Sequence, residues 1–161
     1  MLKMTFIKQL KAINGVTDIE IERDRSYFIE FYLSHPSLKE EICFTFDDFD
    51  AKDKKDQEKI LKSVQYLISN FSNIMAQSNE KLALYMTKEY EDKIDTPPNL
   101  IIDKYDTYST GIYFSHKYEF GTCCISFNSA LEEEHGFGVG LVDWKVHKIG
   151  FGDICFSNFY K

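Results

Sequence analysis

Between residues 56 and 75 the apolar side chains Ile60, Val64, Leu67, Ile68, Phe71, Ile74 and Met75 recur every three or four positions. That period belongs to an α-helix with one apolar stripe, and such a helix is stable only when the stripe packs against another element. The flanking sequence offers a sheet as that partner. On the N-terminal side, 18–23 (DIEIER) and 41–46 (EICFTF) alternate polar with apolar, as half-buried strands do, and 27–33 (YFIEFYL) reads as a more central strand. Asp24-Arg25 and the stretch 34–37 (SHPS) supply turns. Three sequential strands with short connections predict an antiparallel meander.

The remainder extends this pattern. Phe6, Ile7, Leu10 and Ile13 fit a short helix over 5–14, with Gly15 as its stop. Residues 47–53 form an acidic, turn-rich segment before the long helix. Ser78 or Asn79 could cap a second helix running to Tyr90, so 54–92 hold either one bent helix or two, ended by Thr96-Pro97-Pro98. Short apolar runs then return at 100–102, 111–114, 122–127, 137–142, 145–149 and 153–156. The two residues Asp143-Trp144 predict a tight hairpin between two of them. Strands, then helices, then strands predict a single α+β domain over 1–161. Its mainly antiparallel sheet would carry one or two amphipathic helices on one face.

With 19 basic against 26 acidic residues the chain carries a formal charge of -7. A surface of that sign repels phosphate backbones, so no nucleic-acid partner is expected, whereas a basic protein partner would be attracted. No apolar run reaches the roughly 18 residues that a membrane span needs, and the N-terminal residues lack the apolar centre of a signal peptide, so a cytoplasmic protein without membrane association is expected. Cys43, Cys123, Cys124 and Cys155 show no CxxC spacing and lie mostly in apolar runs, which predicts buried free thiols in a reducing compartment.

Chemistry-bearing residues concentrate near the C-terminus, in EEHGFGVG (133–140) and HKIGFGDICF (147–156). His135, His147 and Asp153 are candidate metal ligands, the basis of an alternative reading as a small metal-binding protein or hydrolase. They lack the HExxH spacing that places two histidines on one helical face. A Cys/His nucleophilic pair has no support from spacing, and neither GxSxG nor GxxxxGK[ST] occurs. The glycines 136, 138 and 140 do not make a dinucleotide fingerprint, because strand-like residues follow where a helix is required. They read better as backbone-shaping positions. Gly138 and Gly140 alternate with Phe137, Val139 and Leu141 and leave one strand face bare for close approach of another element, such as the Trp144 ring. Gly150 and Gly152 suit a positive-φ turn, with Asp153 capping local N–H groups.

Glu134, His135, Gly136, Phe137, Gly138 and Val139, followed by Ile149, Gly150 and Asp153, resemble the C-terminal signature of a bacterial family of small uncharacterised proteins. Ser129–Glu134 (SALEEE) stand where that signature has an aromatic-acidic pair. Such families are similar to the immunity proteins of polymorphic-toxin systems, which bind and block a toxin in the cytoplasm. The resemblance implies a non-enzymatic inhibitor with no cofactor, and His135, Gly136, Gly138, Gly150 and Asp153 as structural residues. A basic toxin domain would then meet an acidic, Tyr-rich surface. Asp47, Asp48, Asp50, Glu132, Glu133 and Glu134 would supply its field, with Tyr105 and Tyr108 as anchors and Tyr113 and Tyr118 as further candidates. A regulatory scaffold domain is the remaining alternative.

Overall fold

The structure, a computed structural model, describes residues 2–21, 28–36 and 38–161. The turn expected at Asp24-Arg25, the end of the first strand at Glu22-Arg23, and Ser37 lie outside the described residues. The elements run α1 (Leu2–Lys11), β1 (Val16–Ile21), β2 (Phe28–Leu33), β3 (Ile42–Asp47), α2 (Lys54–Ser69), α3 (Phe71–Glu89), α4 (Pro98–Lys104), β4 (Tyr108–Ser115), β5 (Cys123–Asn128), β6 (Phe137–Val142), β7 (Lys145–Phe151) and a 3₁₀ turn (Gly152–Phe156). This is an α+β fold with helices packed on a sheet.

The sheet has 7 strands in chain order, β1 to β7. Every neighbouring pair is antiparallel except β3 and β4, which run parallel with Phe44 opposite Ile112 and Phe46 opposite Phe114. A parallel pair cannot be joined by a tight turn. The block α2–α4 is the crossover, so the sequence order of strands, helices and strands becomes one continuous sheet rather than two.

Alternation sorts the strand side chains. Phe31, Phe44, Phe46, Ile112, Phe114, Ile125, Val139 and Leu141 point to the helix side and form the core with Phe6, Leu10, Ile60, Val64, Leu67, Ile74, Leu82 and Met86. The phenylalanines stack across strands, with ring centroids 5.1 Å apart for Phe31–Phe44 and 4.5 Å for Phe46–Phe114. Such pairs add about 0.5–1.5 kcal/mol to their burial.

The N-terminus of α2 is set locally. The Asp53 carboxylate accepts from the Asp56 N–H at 3.0 Å, an N-cap worth about 1 kcal/mol. The helical region consists of separate helices broken at Asn70, whose N–H and side-chain amide both donate to the Tyr66 carbonyl. Ser78 lies inside α3 and returns its hydroxyl to the Ile74 carbonyl at 2.8 Å, so neither it nor Asn79 is a cap. α3 ends at Glu89, before the prolines, and Pro98 opens α4 at a position where its missing N–H costs nothing. The run 100–102 is therefore helical, not a strand.

The Asp143-Trp144 hairpin is present, with both residues left-handed (φ 52° and 59°), the conformation that a two-residue turn of this hand requires. The Gln77 side chain accepts from Val146 N–H at 2.7 Å and donates to the Trp144 carbonyl, tying the turn to α3. Among the described residues no helix is long and apolar enough to cross a membrane.

Candidate functional site

The glycine-rich C-terminal region answers to packing. Gly136 is left-handed (φ 62°), and a Cβ there would lie 2.2 Å from the Phe127 carbonyl oxygen. Gly138 and Gly140 do leave one face of β6 bare, but the occupant is not Trp144, which stacks on Tyr66 on the helix side. The chain's own tail fills the space. Ile154 lies over Gly138 and Gly150, and the Phe159 ring would be 2.3 Å from a Cβ on Gly140. Gly150 and Gly152 do not adopt positive φ. Gly152 is there because a side chain would meet the His135 carbonyl oxygen at 2.2 Å.

The run 153–156 is a 3₁₀ turn rather than a strand, and Asp153 is exposed without capping it. Cys124 and Cys155 are bonded to each other, joining β5 to this turn, so the expectation of four free thiols holds only for Cys43 and Cys123. Tyr118, Cys124, Cys155 and Phe159 form a second, smaller core on the face opposite the helices.

His135, His147 and Asp153 do not converge. His147 is exposed on β7, and no cluster of metal-ligating side chains occurs among the described residues. His135 Nδ1 lies 3.1 Å from Glu132 Oε1, whose other oxygen accepts from Tyr90 Oη at 2.9 Å. His135, then Tyr90, hold the Glu132 carboxyl below its ordinary range. Burial foremost, and then Glu132, pushes the Tyr90 phenol up to about 12. The trio fastens the 129–136 loop to the end of α3.

The expected partner-binding residues fall at opposite ends of the strands. Asp47 pairs with Phe28 and Ser115 at one end, whereas Tyr108 pairs with Asn128 at the other, near Tyr105 and Glu132–Glu134. Asp50 is occupied locally, its carboxylate accepting from Lys52 N–H at 2.9 Å. Asp48 is exposed at a left-handed turn (φ 63°), and Glu133 and Glu134 are exposed. Tyr105 packs half-buried against the core, and Tyr118 is buried. Tyr108 lines a cleft of about 480 Å³ between α3 and α4, where the Lys39 ammonium pairs with Asp106 and sits 4.6 Å above the Tyr108 ring.

Asp47 and Tyr113 lie elsewhere, on the half of the sheet that the tail leaves uncovered. There a cavity of about 610 Å³ is lined by Cys43, Thr45, Asp47, Thr110, Gly111, Tyr113, Ser126 and Phe156. Strand register fixes the layout: Glu30, Thr45 and Tyr113 form one row across β2–β4, and Tyr32, Cys43 and Gly111 the next. Tyr113 Oη donates to Asp47 Oδ2 at 2.8 Å, and burial, then that bond, raises its pKa, so the phenol stays a donor. Phe156 closes one side, its ring 5.2 Å from Tyr113 and 77% exposed.

Burial pushes the Cys43 thiol up, away from the thiolate form that nucleophilic attack uses. Burial pushes Cys123 up too, inside the core. No lysine, arginine or histidine lines this cavity among the described residues. Sequence reasoning missed Thr45, Thr110 and Phe156. The alternation in ICFTFD carried the signal for Thr45 with Cys43 and Asp47, whereas Phe156 shows its exposure only once the tail is folded. No protein-family model, curated protein or solved structure matches the chain.

Proposed function

We propose that this chain is a non-enzymatic binding protein of the immunity type, which neutralises a basic bacterial toxin domain by docking it on the uncovered half of the sheet. The observation that carries this reading is the cavity beside Asp47. It is a sheet face left open next to one the tail has covered, with carboxylates at Glu30 and Asp47, no cation among its described lining residues, and a large exposed ring at its edge. Buried aromatic anchors dominate interface energies, and opposite potentials speed encounter. The net charge of -7 adds a long-range field of the same sign.

The cytoplasm is the proposed setting. A reducing pool there would hold Cys124 and Cys155 as thiols, leaving Ile154 and Phe159 to seat the tail. Co-expression with any toxin domain found among the products of the neighbouring genes tests the reading. Rescue of growth and co-purification are expected, both weakened by the Asp47→Asn/Phe156→Ala double variant. Absence of binding and of rescue with the unaltered chain rejects it.

A further inference from the structure

The open face has more than a sign; its groups have the arrangement of a receptor for one planar cation. The Asp47 carboxylate is half-buried; Oδ2 accepts from Tyr113 Oη, and Oδ1 has no hydrogen-bond partner among the described residues. That bond fixes the carboxylate against the Tyr113 ring. The Phe156 ring stands 5.2 Å away at 65° to the Tyr113 plane, so the carboxylate and the rings bound the same cavity. The floor is hydroxyl-bearing and already satisfied: Thr110 Oγ1 and Ser126 Oγ lie 3.1 Å apart, and Ser126 Oγ donates to the Gly111 carbonyl.

An ammonium could pair with Asp47 but would lose hydration beside the rings. A guanidinium is more weakly hydrated, lays its flat face on an aromatic ring and directs its N–H groups to a carboxylate in the same plane. A phosphate or carboxylate ligand would meet Asp47, with no cation among the described lining residues to receive it.

We propose that the Asp47–Tyr113–Phe156 cavity receives an arginine side chain of the protein partner, with the guanidinium paired to Asp47 and stacked on Phe156. The inference rests on the reading of this face as a docking surface for a basic protein and names the group that enters it.

The test compares an oligo-arginine peptide with an oligo-lysine peptide of equal length, titrated into the full chain at physiological salt by calorimetry. Arginine is expected to bind about threefold tighter, because a guanidinium can lie flat on the ring while keeping two N–H groups on Asp47, which an ammonium facing the same ring does not do. Asp47→Asn and Phe156→Ala should each abolish that preference. Glu80→Gln, an exposed carboxylate on α3 and so on the helix side of the sheet, should keep it. Asparagine still accepts from Tyr113, and Phe156 is exposed, so both variants should melt like the parent. Equal affinity for the two peptides, or a preference that survives both substitutions, overturns the proposal. If the toxin domain binds while the arginine preference is absent, this inference fails alone. If the preference is present while no toxin domain binds, the proposed function fails alone.

Discussion

Gly140 shows how much one missing side chain decides here. A Cβ at that position would lie 2.3–2.9 Å from three atoms of the Phe159 ring, which is 2% exposed and so cannot swing aside freely. Gly140→Ala is therefore expected to overpack the smaller core and to destabilise the chain by about 1–3 kcal/mol, read from chemical denaturation. An unchanged midpoint would mean that the tail does not sit on β6. The alternation of Gly138 and Gly140 with apolar residues made a bare strand face legible in the sequence. What fills a bare face is a tertiary fact, and Trp144 was the wrong candidate because its turn sends the ring to the helix side. His135 is a similar case. Its residue type suits a metal, but its observed partner is Glu132, three residues back, and the pair organises a loop.

At the scale of elements, long or strongly patterned segments were readable and short ones were not. Strand β6 and the Asp143-Trp144 hairpin follow from local signals, alternation and a two-residue turn. Residues 100–102 and 153–156 are apolar runs too short to carry a period, and one became a helix and the other a 3₁₀ turn. The parallel β3–β4 pairing was not legible because nothing within either strand specifies its neighbour across a long connection. Pairing of Cys124 with Cys155 was equally hidden, since cysteine connectivity does not follow from spacing.

That bond closes a segment with a sequence separation of 31 and fastens the C-terminal turn to β5. Cys155→Ser is expected to lower unfolding stability by about 3–4 kcal/mol relative to the oxidised parent, the loop-closure entropy of a segment that long. Denaturation with and without a thiol reductant checks it. The reductant should shift the parent toward the variant and leave the variant unmoved, whereas a parent insensitive to reductant would show the bond does not form in solution.

The whole molecule is asymmetric about its sheet. One face is covered by helices, and among the described residues the other is covered by the tail over β5–β7 and open over β2–β4. The acidic and aromatic residues expected to form one surface are split between the ends of the strands, because a strand of six residues separates its termini by roughly 17–20 Å. Of the carboxylates singled out in the sequence, only Asp47 faces the open cavity, where an exposed ring and the absence of cations among the described lining residues favour a basic visitor. The most direct measurement is NMR mapping of the chain bound to the basic protein partner proposed for it, following the threonine methyl groups and the Phe156 ring. Binding on the open face predicts shifts at Thr45, Thr110 and Phe156, with the methyl groups of Met75 and Leu84 on α3 unmoved. Shifts confined to α3, or to the Glu132–Glu134 loop, with Thr45 and Thr110 silent, would contradict it.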